Sequence, residues 1–398
     1  MVLGYLLARA GVPVVVLEKH ADFLRDFRGD TVHPSTFEVI YELGLLDDFL
    51  RRKHQELPNI GAVIDDRSVT IADFSHLPTH CKFIGLMPQW DFLNFIAEKA
   101  KAYPDFHLLM QTEATDLIVD EGRVVGVRTK TPKGEIAVRA LLTIAADGRH
   151  SIIRQKAKLE RIDMNAPIDV LWMRLSRNPD DPEQTLGRFR EGKFLVTLNR
   201  GDYWQCAYII AKDGLDAIRQ AGLTAFRADL EKVAPFLRGR TEELKSWDDI
   251  KLLSVAVDRL RKWARPGLLC IGDSAHAMSP MGGVGINLAI QDAVATANCL
   301  AGPLLRRTVT LKQLNQVQQR REFPTRMTQR MQIFAHKRFI YPALNTVGPL
   351  QKLPLLLRLL QRFPVLRRIP ARVVGLGIRP EHVHSPDSRS QRSSSLET

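Results

Sequence analysis

The sequence predicts an α/β protein: a three-layer domain around a parallel sheet, incomplete at its N-terminal end, with an inserted α+β domain and a helical C-terminal region. Three observations carry this. Short apolar runs at 12–17, 141–145 and 268–271 read as parallel strands buried on both faces. The last two lead into a paired acid and glycine, Asp147-Gly148 and Gly272-Asp273, where the ligands of open α/β sheets bind. Between and after these runs lie segments with helical spacing, notably 2–10 and 286–305.

Along the chain, residues 2–10 (VLGYLLARA) are good helix formers, Gly11 stands where a helix stops, and 12–17 forms a strand ending at Glu18. This is the second half of a βαβ unit whose first strand and glycine-rich turn are not in the sequence. A helix is expected at 34–43, ended by Gly44, then a strand near 60–64 and a helix at 91–102 following Gln89. From 106 to 144, hairpin signals at 120–122 and 132–134 predict a small β-meander. Strand-like runs at 171–175, 194–198 and 203–211, with helices at 214–221 and 224–235, read as the inserted domain. Helices continue to about 341, a proline-punctuated basic and apolar stretch reaches 379, and the serine-rich residues 385–398 are expected to be disordered. The expected division is 1–60, 86–160 and 262–330 for the first domain, 61–85 and 161–261 for the second, 331–384 for the helical basic region and 385–398 for the tail.

Composition narrows the function. With 45% hydrophobic and 25% charged residues in 398, the chain is an ordinary globular protein. Cys81, Cys206, Cys270 and Cys299 form no C-x-x-C pair, so no metal cage is indicated, and reduced thiols suit a cytoplasmic setting. The net charge of +13 suggests nucleic acid until it is divided: residues 301–398 hold 18 Lys and Arg against 4 Asp and Glu, leaving 39 against 40 for residues 1–300. No recognition motif accompanies that charge, so no nucleic-acid partner is expected. The greasiest stretch, 353–366, is broken by Pro354, Arg358, Arg362 and Pro364, so no spanning helix is expected there. The start of the chain has no signal-peptide pattern. The basic quarter is either a solvated helical bundle or a surface that lies on anionic lipid.

The chemistry concentrates in 268–287. A strand ending in Gly272-Asp273 presents a carboxylate suited to a ribityl or ribose hydroxyl. Gly282, Gly283 and Gly285 let backbone N–H groups approach a planar ligand, and the helix after Ile286 and Asn287 points its positive end at the same place. Asp147-Gly148 repeats the strand-acid-glycine theme. Glu18 suits an adenosine ribose, and Arg28, in the loop Arg28-Gly29-Asp30, is either a solvated cation or one that reaches a pyrophosphate.

The order Glu18, Arg28-Gly29-Asp30, Gln89, Asp147-Gly148, Gly272-Asp273 and Pro280-x-Gly-Gly-x-Gly-x-Asn287 resembles the FAD-dependent monooxygenases of the para-hydroxybenzoate hydroxylase type. The resemblance covers roughly residues 1–325. It implies a Rossmann-like FAD-binding domain with Glu18 on the adenosine ribose, and with Arg28 and Gln89 near the pyrophosphate and ribityl region. Asp147-Gly148 would contact FAD and NADPH or NADH, and Asp273 would hold the ribityl chain. The backbone of 283–287 would face the pyrimidine end of the flavin, with Pro280 near the reacting edge. His33 and His276 are either an acid or base near the ring or structural or surface residues. It further implies oxygen transfer from O2 to an aromatic or lipophilic substrate through a flavin 4a-hydroperoxide. A reductase or dehydrogenase on the same scaffold, or an inactive remnant, remains open at this point. By comparison with such proteins about fifteen residues are missing before Val2. The expectation is a natural protein longer at this end rather than a degraded relative, and a chain that holds FAD poorly until they are restored.

Overall fold

The computed structural model describes residues 1–24, 31–183, 186–346, 348–350 and 352–389. Helix Val2–Arg9 packs its buried residues between helices Gln89–Ala100 and Val284–Leu305, and Gly11 stops it in the left-handed region at φ +81. Strand Val14–Leu17 runs parallel to Phe106–Leu109, and Thr143–Ala145 runs parallel to Leu268–Cys270. The strands of the meander, Glu113–Asp120, Arg123–Thr131 and Gly134–Arg139, turn where the sequence predicts.

A seven-stranded mixed sheet forms the second layer system. Its order is 251–253, 168–176, 203–211, 193–199, 186–190, 59–64 and 67–73. Strand parity decides what each face meets. Leu171, Met173, Trp204, Cys206 and Tyr208 pack under helices Leu215–Ala221 and Leu223–Val233, while Val170, Trp172, Phe194, Val196 and Ile209 face Ile333, Ile340 and Leu344 from the C-terminal helices. Of the aromatics on these strands, Trp204 and Tyr208 are therefore core, and Trp172 and Phe194 lie on the face toward the C-terminal helices.

Several expectations are corrected. The strand expected to be buried at 12–17 is half-exposed, with Val15 at 44%, because it has one hydrogen-bonded neighbour among the described residues. Strand Ile84–Leu86 joins Thr31–Val32 and Gln55–Leu57 rather than the seven-stranded sheet, so the segment given to the second domain ends before it. The C-terminal region is not helical throughout: beyond helix Arg368–Gly375, residues 376–387 run without helix or strand across the first domain. Nor are residues 385–389 loose. Arg9 donates to the Ser385 and Pro386 carbonyls and pairs with Asp387, and Asn298 Oδ1 accepts from the His384 and Ser385 N–H groups. The remaining expected tail, 390–398, lies outside the described residues, as does Arg28.

Helix Val284–Leu305 is long and apolar enough to span a bilayer, but it is the core helix of the first domain and buries Asn287, Gln291 and Asp292.

Candidate active site

The two acid-glycine turns lie side by side because their strands are hydrogen-bonded in register, Ala145 opposite Cys270. The stitching continues past the strand ends. The Ile271 N–H and the Ser274 hydroxyl both donate to the Ala145 carbonyl. Arg154, buried at the start of the helix that follows Asp147-Gly148, donates to the Arg149 and Ser274 carbonyls. Asp147 accepts the Ile153 N–H at 3.3 Å and is otherwise open to solvent. Asp273 is half-exposed, and its carboxylate has no hydrogen-bond or ionic partner among the described residues. A carboxylate left free at the carboxyl edge of parallel strands is a natural acceptor for ligand hydroxyls.

Beneath the second turn is a buried charge network. Asp292, wholly buried, accepts the Gly272 N–H at 2.9 Å, meets His276 Nε2 at 2.6 Å and accepts from Arg321 Nε at 3.0 Å. Burial pushes its carboxyl up, and the combined pull of His276, Arg321 and the Gly272 amide outweighs this and leaves it below the usual range. Arg321 continues to Glu381 at 3.5 Å, so a residue of the C-terminal strap completes the network that shapes the turn. His276 is thereby consumed inside the protein.

The glycine-rich turn is fixed just as tightly. Gly283 adopts φ +63 and caps helix Val284–Leu305, and a Cβ there would lie 2.2 Å from Thr31 Oγ1, so only glycine fits. Gly272 is also left-handed, at φ +57, and a Cβ on it would press on Ala289. No side chain caps the helix and no acid lies in its first turn, so its positive end is offset by no side chain among the described residues and suits an anionic or electron-rich ligand. Gly282, Gly285 and Ile286 are exposed or half-buried around that opening.

Asn287 is different. Its Oδ1 accepts from the His33 N–H and the Thr36 hydroxyl, and its Nδ2 donates to the Thr31 and Gly283 carbonyls, so its side chain is a rivet and not a free ligand contact. His33 is likewise held: its Nδ1 donates to the Val374 carbonyl at 2.7 Å, and burial lowers its pKa to about 4, keeping it neutral. Pro280 is exposed at the rim of the same opening. Glu18 ends its strand half-buried and accepts the His20 N–H, and Gln89, half-buried, opens helix Gln89–Ala100.

Sequence reasoning missed what holds Pro280. Gln332 binds the N–H and carbonyl of Ser279 and the Met281 carbonyl, and His336 Nε2 meets the Ser279 hydroxyl at 2.9 Å. His336 is buried and its pKa is lowered by that burial to about 4. The same helix and the turn after it carry Ile333 and Ile340 onto the sheet face of Trp172 and Phe194, linking the Pro280 rim to that face. Nothing local in the sequence marks these partners; they are made by helix Leu311–Ala335 crossing the glycine-rich turn.

Comparison with known proteins decides the family. The family described as FAD binding domain matches residues 1–331. The chain belongs to that family. It is an FAD-dependent oxidoreductase of the monooxygenase type. Among curated relatives, 6-methylpretetramide 4-monooxygenase of Streptomyces rimosus is 32% identical over 340 residues, covering 84% of this chain and 80% of the relative. Two solved structures share the fold at low identity. Anhydrotetracycline hydroxylase OxyS of Streptomyces rimosus has a TM-score of 0.71 at 20% identity, covering 95% of this chain and 74% of that one. The p-nitrophenol 4-monooxygenase PnpA of Pseudomonas putida has 0.71 at 19%, covering 94% and 91%. The unpaired Asp273 carboxylate, the left-handed Gly283 and the uncapped 284–305 helix offer a hydroxyl acceptor, close backbone approach and a positive helix end, features compatible with an FAD site.

Proposed function

We propose that this monooxygenase hydroxylates a phenolic or polycyclic aromatic compound, with NADPH or NADH as the electron donor. The observation that supports the site is the register of Thr143–Ala145 with Leu268–Cys270, which ends the strands before Asp147-Gly148 and Gly272-Asp273 side by side. FAD, when bound, would supply the redox chemistry: hydride acceptance from the nicotinamide and insertion of one atom of O2 into the substrate, the other leaving as water.

The protein contributes the rest. Asp273 holds the ribityl hydroxyls, and Asp147-Gly148 borders the FAD and nicotinamide path. Glu18 and Gln89 serve the nucleotide side. The positive start of the 284–305 helix stabilises negative charge on the reduced ring by about 0.3–2 kcal/mol. Pro280 sets the reacting edge, held in place by Gln332 and His336. The substrate ring approaches at that rim, beside the sheet face carrying Trp172 and Phe194, whose packing against Ile333 and Ile340 keeps water from that side. A substrate of aromatic character is supported by that lining and by the 6-methylpretetramide 4-monooxygenase relative.

Phenolic and polycyclic probes should accelerate NADPH or NADH oxidation by the FAD-loaded protein, with O2 consumed and one labelled oxygen appearing in the product under isotopic O2. Anaerobic turnover that reduces the probe would reject hydroxylation in favour of reductase chemistry.

A further inference from the structure

We propose that the outer face of the C-terminal helices is a docking surface for an anionic lipid bilayer. Between Glu322 and Glu381 the chain carries eleven Lys and Arg and no Asp or Glu. Within this stretch helices Leu355–Arg362 and Arg368–Gly375 are two-faced. The inner face is spent on the protein: Leu357 packs with Leu350 and Leu353 on Ala62, Ile64, Val69 and Phe189, and Leu360 and Ala371 are buried. The outer face is not. Leu355, Leu356, Phe363, Val365 and Ile369 are each about half exposed or more, and Leu359 is 38% exposed. Single exposed apolar residues are ordinary, but six within fifteen residues, with Leu355, Leu359 and Phe363 at helical spacing along one side, ask for a cover.

Charge selects the cover. Arg358, Arg362 and Arg372 are exposed beside these side chains and have no carboxylate partner among the described residues, and Arg368 is exposed and meets the His76 ring at 3.3 Å. Apolar side chains flanked by arginines, lying along a surface helix, match the acyl and phosphate levels of a bilayer interface. A second copy of this chain would bring these arginines against each other with no acid to offset them. Nucleic acid would use the arginines and leave the leucines and Phe363 uncovered. The patch sits on the outer strand Arg67–Asp73 of the seven-stranded sheet, so docking would hold the substrate-side layer at the membrane.

The test is co-sedimentation of the full chain with phosphatidylcholine vesicles containing about 30% phosphatidylglycerol, at about 0.1 M salt. The expected result is binding to these vesicles, at least about fivefold weaker binding to pure phosphatidylcholine, and release at about 1 M salt. The exposed triple variant Leu355→Ser, Leu359→Ser, Phe363→Ser should lose most of the bound fraction while keeping the thermal midpoint. Arg358→Ala with Arg362→Ala should weaken binding and flatten its salt dependence. No binding to anionic vesicles overturns the proposal. So does full binding by a folded triple variant, because charge alone would then explain it, and so does a stable dimer that the triple variant abolishes.

Discussion

Two short apolar strands, Val14–Leu17 and Leu268–Cys270, look alike in sequence and fare differently in the fold. Each runs parallel to one neighbour and each leads to an acid at the candidate site, Glu18 or Asp273. The 268–270 strand also pairs along its other edge with Ala264–Arg265 and is wholly buried. The 14–17 strand has one partner among the described residues and leaves Val15 44% exposed. The turns beyond them differ in the same sense. Gly272-Asp273 is set by Asp292, Arg154 and the Ala145 carbonyl from three other segments, whereas Glu18 accepts the His20 N–H of its own turn and donates its backbone N–H to Leu109 at the neighbouring strand's end. Apolar content reports that a strand wants cover; which strand receives it depends on neighbours distant in sequence.

The largest effect separating the two regions should come from Asp292→Ala. It strands Arg321 and His276 in the interior and frees the Gly272 N–H, so a loss of about 3–5 kcal/mol is expected in urea unfolding, with FAD affinity falling alongside. A matched pair of truncations addresses the strands themselves. Leu269→Ala should lose about 2–5 kcal/mol, while Val15→Ala should lose less than about 1 kcal/mol. Equal losses would show that the two strands are equally covered in solution.

Acid should act on the cofactor side through His33 and His336. Both are lowered to about 4 in the fold, so each is neutral there and takes up a proton on unfolding. Stability is therefore complete above about pH 6.5 and declines as pH falls toward about 4, by on the order of 2 kcal/mol for each group. His336→Gln should remove its share of that slope in unfolding measured across this range. Gly283→Ala should be milder in stability, at about 1–3 kcal/mol from the left-handed backbone and the collision with Thr31, but should raise the FAD dissociation constant sharply by moving the start of the 284–305 helix.

The local features of the fold were legible because they are written locally. Gly11 and Gly44 stop their helices, the turns at 120–122 and 132–134 close their hairpins, and the acid-glycine pairs end their strands. The candidate site was legible at its backbone, in Gly272, Gly282, Gly283 and Asp273, since those positions advertise unusual geometry or a free carboxylate. What holds them was not. Arg321, Gln332 and His336 sit in a helix whose pattern reads only as amphipathic, and Glu381 lies in a segment with no periodicity at all. The acid-free run that ends at Glu381 was the one available signal, since an isolated acid beyond so many cations is a candidate buried counter-ion. Asn287 shows the converse. Its place in the motif suggests ligand contact, and its four protein hydrogen bonds make it a fastener.

The central claim is that two turns from distant parts of the chain hold one cofactor together. FAD titration of Asp147→Asn, Asp273→Asn and the double variant tests it most directly. Each single variant should weaken FAD binding by about 1–3 kcal/mol with little change in unfolding, because Asp273 has no side-chain partner among the described residues and the one bond Asp147 accepts, from the Ile153 N–H, can also be accepted by asparagine, and the double variant should bind weakest. A folded double variant that binds FAD as tightly as the parent would contradict the account.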